Sequence, residues 1–444
     1  MKSSRRVAVI ALFLAVLASQ SAPQQPVGDL RPTVILISLD GFRWDYIDKY
    51  KAPTLTALAR NGVRARWMIP SFPTKTFPNH YTVATGLYPQ NHGLVENNVY
   101  DFGQIFTMSK RFEVQNPRWW WGEPIWVTAE KQGQIAASYF FVGTETFIQG
   151  EAPTYWRTYN GRVPNIMRVD KVLEYFDKPA RERPTMISMY FSTTDDVGHE
   201  FGPESEETRF AVLEADGYIE RLMAGLRARR IDQKVNVIVT SDHGMAAVDQ
   251  RNAVVMDDYF DTEDKRLADP IIATGEIWQI FAKPDKETYL IDRLKSIKNA
   301  ACWRKAEIPA RLHYNTGSRI APIVCSADEG WFMTSRERYE TQKKSDDFDK
   351  TRGAHGYDNR YPSMHATFIA HGPAFKSGFI AEPFENVDVY NIMAHILGLK
   401  AAKNDGDLDR VRNMLRQKTG PGRRQRNRTS ADGSLSELPA VAGG

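Results

Sequence analysis

The sequence predicts an α/β fold with a mostly parallel central sheet flanked by helices. Three six-residue apolar runs carry that expectation: Val34 to Leu39, Met186 to Phe191 and Val235 to Thr240. Unbroken β-branched and apolar runs of this length suit strands buried on both faces, which parallel sheets require. Helical patterns separate them. Pro53 to Asn61 has a proline at its start and Gly62 just past its end, the usual asymmetry of helix boundaries. Ser205 to Arg227 carries Phe210, Val212, Leu213, Ile219, Leu222 and Leu226 on one broad face. Strands alternating with helices imply the parallel arrangement.

Taken in order, residues 1–22 read as an export signal: Lys2, Arg5 and Arg6 precede the apolar run Val7 to Ala18, and small residues follow. That run is short for a bilayer span, and no later stretch is long and apolar enough for one. Residues 23–32 form a Pro/Gln-rich linker, and residues 33–400 are the expected catalytic domain. Within it, 256–349 is rich in charge and reads as a smaller irregular excursion. Residues 401–444 are expected to form a basic tail without fixed structure. Eight Lys or Arg between Arg410 and Arg428 turn a chain otherwise at −4 into one at +4. The tail reads as a solvated end, and no stable nucleic-acid complex is expected. A composition of 42% hydrophobic and 25% charged residues excludes a disordered or fibrous protein. The two cysteines, Cys302 and Cys325, either pair in an oxidising compartment or stay free; too few for a thiolate zinc site, they leave metal binding to Asp and His. A periplasmic or secreted protein is expected.

Ligands in open α/β sheets collect beyond the carboxyl ends of the strands. The three runs deliver Asp40, Asp195 and Asp242 to that edge, with His243 directly after Asp242 and His199 four residues after Asp195. His355 sits in Gly-Ala-His-Gly. A strand-end aspartate alone is more often a helix cap. Several carboxylates in one pocket are unfavourable unless cations neutralise them, and mixed imidazole and carboxylate ligation favours zinc. Two such ions can clamp the attacking and leaving oxygens of a phosphoryl displacement. The nucleophile remains open between Thr74 and Thr76, in a loop pinned by Pro73 and Pro78. His80 and His92 read as supports of that loop, and His365 and His371 as structural.

The run Phe72-Pro-Thr-Lys-Thr-Phe-Pro-Asn-His-Tyr81, then Thr85-Gly-Leu-Tyr-Pro89 and His92-Gly93, resembles the signature of the nucleotide pyrophosphatase/phosphodiesterase family of the alkaline-phosphatase superfamily. Leu39-Asp-Gly41, Asp195 to His199 with Gly202-Pro203, Ser241 to Met245, Gly353 to Asn359 and Gly122 to Trp126 match further family segments in order. The resemblance implies a stand-alone catalytic domain of bacterial type with an alkaline-phosphatase-like fold. It implies Thr76 as nucleophile and two zinc ions, one held by Asp40, Thr76, Asp242 and His243, the other by Asp195, His199 and His355. Asn97 matches the donor to a phosphoryl oxygen, with Asn98 as competitor. Phe77 and Tyr159 match the aromatics that hold a nucleotide base. Three carboxylates and one alkoxide balance two divalent cations. The implied activity is hydrolysis of nucleotide diesters and pyrophosphates through a phosphothreonine, releasing nucleoside 5′-monophosphate; lysophospholipid or choline diesters are the alternative substrates. A sulfatase is disfavoured, because no Cys/Ser-x-Pro-x-Arg motif occurs.

Overall fold

β1 (Val34–Leu39) is buried along its whole length because it pairs on both edges and packs on both faces. The computed structural model describes residues 27–417; the export signal, most of the linker and the tail beyond Gln417 lie outside the described residues. β1 belongs to a seven-stranded sheet with β2 (Val63–Ala65), β3 (Ala136–Tyr139), β4 (Met186–Phe191), β5 (Asn236–Thr240), β6 (Phe368–His371) and β7 (Phe379–Ala381). The order is β7-β2-β6-β5-β1-β4-β3. All pairs are parallel except those of β6, which runs against β5 and β2. Alternate β1 residues feed two apolar clusters: Val34 and Leu36 one face, Ile35, Ile37 and Leu39 the other.

The register places the chemistry. Ser38 lies opposite both Tyr190 and Thr240. The residues leaving β1, β4 and β5 therefore emerge at one level, which brings Asp40, Asp195 and Asp242 to one edge.

Helices cover both faces. α1 (Pro53–Asn61) has the bounds that proline and glycine punctuation predicts. Gly62 is needed because a Cβ there would stand 2.2 Å from the Ala370 carbonyl oxygen. α2 (Thr76–Thr85) is fully buried, and α3 (Ile125–Lys131) and α4 (Asn165–Phe176) follow. α5 (Thr193–Phe201) leaves β4 and leads into α6 (Glu206–Ala228), capped by the Ser205 hydroxyl, which accepts from Thr208 N–H at 3.1 Å. α6 buries Thr208, Ala211, Val212, Ala215, Ile219, Leu222 and Leu226. Phe210 falls out of phase with that stripe and is 60% exposed, contrary to its expected place on the buried face. Arg209 covers its ring at 4.4 Å.

The charge-rich excursion is more regular than its sequence suggests. Strands 268–273, 277–282, 323–327 and 300–304 form, in that spatial order, an antiparallel sheet with its own apolar cluster. Cys302 and Cys325 lie directly opposite on neighbouring strands and form a disulfide.

Ordered packing also continues past the expected boundary at 400. After α7 (Val389–Leu397), Val411, Met414 and Leu415 join the main apolar cluster. Arg410 pairs at 2.6 Å with Asp388, whose side chain is fully buried. The basic count of this stretch masked those apolar contacts.

Arg410→Ala would strand the Asp388 carboxylate, with only the Asp407 N–H still donating to it at 2.8 Å. Because Arg410 is half exposed, the expected loss is about 2–3 kcal/mol in urea unfolding, at the low end for a broken buried pair. A change below about 0.5 kcal/mol, the level of a neutral surface substitution, would contradict this role.

Candidate active site

Asp40 follows β1 directly, Asp242 and His243 follow β5 after Ser241, and Asp195 sits in the first turn of α5. His199 is one helical turn further on, and His355 follows the short strand Thr351–Ala354. Thr76 is the first residue of α2, so its hydroxyl lies where helix N–H groups and the dipole favour negative charge. The fold brings all of these together. Among the described residues, Asp195, His199 and His355 form one group able to share a cation, and Asp40, Asp195 and His243 another. Asp40, His80 and Asp242 form a third, with ligand atoms in each group within 4.8 Å of one another. Thr76 Oγ1 lies 3.4 Å from His243 Nε2.

Hydrogen bonding fixes the imidazoles. His243 Nδ1 lies 2.9 Å from the Gly244 carbonyl oxygen, His199 Nδ1 2.8 Å from that of Gly353, and His355 Nδ1 2.8 Å from that of Thr74. A carbonyl can only accept, so each Nδ1 carries the proton and each Nε2 presents a lone pair. Those bare nitrogens face carboxylates. His243 Nε2 is 2.9 Å from Asp242 Oδ2 and 3.5 Å from Asp40 Oδ1. His199 and His355 Nε2 are 3.5 and 3.6 Å from Asp195 Oδ1. The same three oxygens, Asp40 Oδ1, Asp195 Oδ1 and Asp242 Oδ2, are buried and accept no well-aligned hydrogen bond. Lone pairs facing lone pairs in a buried site require a cation between them. The residues present fit divalent metal.

The remaining oxygens are held by protein. Tyr190 O–H donates to Asp40 Oδ2 at 2.6 Å, while Gly41 N–H and the Ser241 hydroxyl each donate to Asp242 Oδ1 at 3.2 Å. Burial, and then the neighbouring Asp242 and Asp195 charges, raise the Asp40 carboxyl well above the ordinary range. Burial also raises Asp195, against the pull of His199 and His243. Burial pushes Asp242 up too, but the adjacent His243 and His80 imidazoles outweigh it and hold the carboxyl well below that range. Burial and its two imidazole neighbours hold His355 far below an ordinary histidine.

The other sequence candidates separate cleanly. Thr74 has spent its hydroxyl, donating to the Tyr357 carbonyl at 3.0 Å and accepting from Gly356 N–H at 2.9 Å. Asn97 Oδ1 accepts the Phe77 N–H at 2.9 Å, which leaves the carboxamide N–H groups beside Thr76 to donate elsewhere. Asn98 lies in the strand Asn98–Asp101. His80 engages both ring nitrogens, with the Thr76 carbonyl at 2.9 Å and the Ser38 hydroxyl at 2.8 Å, and so braces the loop. His92 is buried against Thr82 and the Pro78 carbonyl, and burial lowers it to about 3. His365 stacks on Trp67. A cleft of about 300 Å³ opens beside Asp40, Thr76 and Asp195, with Phe77 and Tyr159 both in its walls. Arg111 lies over the Tyr159 ring at 5.4 Å and pairs with Glu145 at 2.6 Å.

Sequence reasoning missed Tyr190, because it lies inside an apolar run, and the buried Lys75–Glu276 pair. Only Glu276's remote position in the inserted sheet joins it to the loop that carries Thr76, and no local pattern carries that contact.

The chain matches the family model described as type I phosphodiesterase / nucleotide pyrophosphatase over residues 34–358. It is 37% identical over 416 residues to a venom phosphodiesterase of Macrovipera lebetinus, covering 90% of this chain and 47% of that protein. It is 36% identical to ectonucleotide pyrophosphatase/phosphodiesterase family member 3 of Rattus norvegicus over 408 residues, 90% of this chain and 46% of the relative. The chain thus spans about half the length of these curated relatives. Murine ectonucleotide pyrophosphatase/phosphodiesterase 5 superposes with a TM-score of 0.79 at 33% identity, covering 86% of this chain and all of that one. An inactive form of the same murine protein, solved in complex with AMP, gives 0.78 at 32% identity, with the same shares covered. A family match over most of the chain, with the same fold, leads to one conclusion: the chain belongs to the type I phosphodiesterase/nucleotide pyrophosphatase family.

Proposed function

We propose that the chain is a zinc-dependent hydrolase of nucleotide phosphodiester and pyrophosphate bonds that works through Thr76 and releases a nucleoside 5′-monophosphate. One observation carries the proposal: three carboxylate oxygens without hydrogen-bond partners and three inward-facing imidazole nitrogens gather in one site, with the Thr76 hydroxyl at a helix N-terminus 3.4 Å from one of those nitrogens. Asp40, Asp242, His243 and Thr76 hold one ion in this reading, and Asp195, His199 and His355 the other. When bound, the ions supply the positive charge that favours the threonine alkoxide and offsets the phosphoryl oxygens.

Thr76 Oγ1 forms the new bond to phosphorus while the bond to the leaving oxygen breaks on the far side. The product is a diester of Thr76. Water then forms a P–O bond as the Thr76 oxygen departs and regains its proton. Asn97, held by the Phe77 N–H, donates to a nonbridging oxygen where charge gathers in the transition state. Phe77 and Tyr159 take the base between them in the cleft. The AMP bound to the murine relative supports a nucleotide ligand.

A location outside the cytoplasm, secreted or periplasmic, is proposed with this activity. The Cys302–Cys325 disulfide supports it, and no described helix is long and apolar enough to cross a membrane.

Three outcomes are expected. Thr76→Ala lowers kcat on a nitrophenyl nucleotide ester by about a thousandfold or more, while metal analysis still finds zinc; near wild-type turnover would remove Thr76 as nucleophile. Chelation abolishes turnover and lowers the melting temperature, because an ion bound only by the folded state stabilises it, and zinc restores both. A melting temperature indifferent to chelator would mean that these side chains hold no metal. Phe77→Ala or Tyr159→Ala raises KM for the nucleotide ester by about five- to a hundredfold, the worth of one stacking contact. Higher kcat/KM for a choline phosphodiester than for the nucleotide ester, in the wild type, would overturn the nucleotide assignment.

A further inference from the structure

A lysine directly before Thr76 would ordinarily be read as a contact for the substrate's phosphate. The Lys75 ammonium instead donates to Glu276 of the inserted sheet, and the two side chains are only 8% and 12% exposed. Lys75 takes no part in the walls of the cleft that holds Thr76, Phe77 and Tyr159. It packs so closely on Gly356, the residue after His355, that a Cβ there would stand 2.8 Å from the ammonium nitrogen.

Glu276 belongs to the turn Thr274-Gly275-Glu276, which joins strands 268–273 and 277–282. The turn is fixed to its surroundings: the Gly275 carbonyl accepts from Met333 N–H at 2.7 Å, and the Glu276 carbonyl from Ala327 N–H at 2.9 Å. From there it grips the centre at two points. Glu276 holds Lys75, the residue before Thr76. The Thr274 hydroxyl lies 3.0 Å from Oε1 of the buried Glu96, the residue before Asn97, and 3.1 Å from the Ile277 carbonyl. Its one proton goes to the carboxylate, the stronger acceptor. Asn97 Oδ1 in turn accepts the N–H of Phe77, the residue after Thr76, at 2.9 Å. These contacts close a circuit that runs through Lys75-Thr76-Phe77, Asn97-Glu96, Thr274-Gly275-Glu276 and back to Lys75. A buried ion pair is a poor source of net stability, because desolvation offsets most of its attraction. What the pair supplies here is a fixed separation.

We propose that the inserted sheet is part of the catalytic apparatus, with Lys75, Glu276, Glu96 and Thr274 as positioning residues that hold Thr76 at a set distance from the Asn97 carboxamide. None of the four touches the substrate. The proposal rests on the reading of Thr76 as nucleophile and Asn97 as donor to a nonbridging oxygen. Attack succeeds only when phosphorus sits in line with Thr76 Oγ1 while its oxygen meets Asn97, so the spacing of those two groups governs the rate. Ground-state binding falls mainly to the metal centre and the aromatic pair. Loosening the circuit therefore lowers kcat more than it raises KM.

The test uses Thr274→Val, Thr274→Ser and Glu276→Gln in the full, zinc-loaded chain, with a nitrophenyl nucleotide ester as substrate. Thr274→Val exchanges the hydroxyl for a methyl group, and Glu276→Gln removes the charge at nearly constant shape. Each is expected to lower kcat about tenfold, with KM within about threefold of wild type and zinc content unchanged, as a small misplacement of reacting groups would. Thr274→Ser, which keeps the hydroxyl, is expected to hold kcat within about twofold of wild type. A kcat within about twofold of wild type in both Thr274→Val and Glu276→Gln overturns the proposal. So does a Thr274→Ser protein as slow as Thr274→Val. A lowered melting temperature with kcat per folded, zinc-loaded chain unchanged would make the circuit merely structural and overturn it too. Lys75→Met adds a contrast: a raised KM with kcat retained would place the ammonium on the substrate, against the proposal. If Thr76→Ala keeps its turnover, the nucleophile reading fails and this role falls with it. If Thr76→Ala is inactive while the circuit variants turn over normally, only this role fails.

Discussion

Three carboxylates are forced together by strand register, and the rest of the centre answers that constraint. β1, β4 and β5 run parallel and end level, so the chain delivers Asp40, Asp195 and Asp242 to a space a few ångströms across. Each has one oxygen with no donor. Their other contacts restrain the side chains without neutralising them. Tyr190 O–H, Gly41 N–H and the Ser241 hydroxyl orient two of the three carboxylates, but dipoles of this kind do not cancel full charges at such spacing.

The loop that carries Thr76 is tied to the same centre from several directions. The Thr74 carbonyl accepts from His355, and the Thr74 hydroxyl bonds to Gly356 and Tyr357, so loop and ligand segment fix each other. Lys75 is buried against Glu276 of the inserted sheet, and Thr274 of the same hairpin donates to Glu96, beside Asn97, at 3.0 Å. His80 reaches back to the Thr76 carbonyl. Thr76 and Asn97 are thus placed by contacts that close in the folded chain, before a substrate arrives, which is the arrangement electrostatic preorganisation requires.

Strand positions and the acidic residues gathered at the sheet edge were legible in the sequence for a shared physical reason. A strand buried on both faces must be a continuous apolar run, so the first polar residue after it marks the sheet edge. Asp40 announces itself in that way and Asp242 follows one residue later, after Ser241, and Gly62 ends α1 where its punctuation indicates. What was hidden depends on contacts distant in sequence. Tyr190 looks like one more core residue until its hydroxyl is seen on Asp40. The choice between Thr74 and Thr76 turns on which hydroxyl the fold consumes, and no spacing rule contains that. The sheet within 256–349 was obscured because its charged turns break the alternation. Val411, Met414 and Leu415 were obscured by the cations between them.

A comparison of magnitudes decides what holds the centre together. Two helices point their N-termini at it: α2 begins at Thr76, and α5 carries Asp195 in its first turn. Each contributes roughly 0.3–1 kcal/mol toward a nearby anion, up to about 2 when partly buried. Two carboxylates at about 5 Å repel by roughly 3 kcal/mol at an effective dielectric of about 20, and Asp40 forms such a pair with Asp195 and another with Asp242. Tyr190 and the backbone donors contribute about 1.5–3 kcal/mol each as hydrogen bonds to charge, but they would be made by a lone carboxylate as well and do not argue for clustering. Helix dipoles therefore fall short of the repulsion. Proton uptake could relieve it, and the raised Asp40 and Asp195 carboxyls lean that way, but three imidazoles locked with their Nε2 lone pairs inward would then face oxygens for no gain. Cations satisfy both sets at once, and they do so beside the Thr76 hydroxyl, which reaches the same centre at 3.4 Å from His243 Nε2.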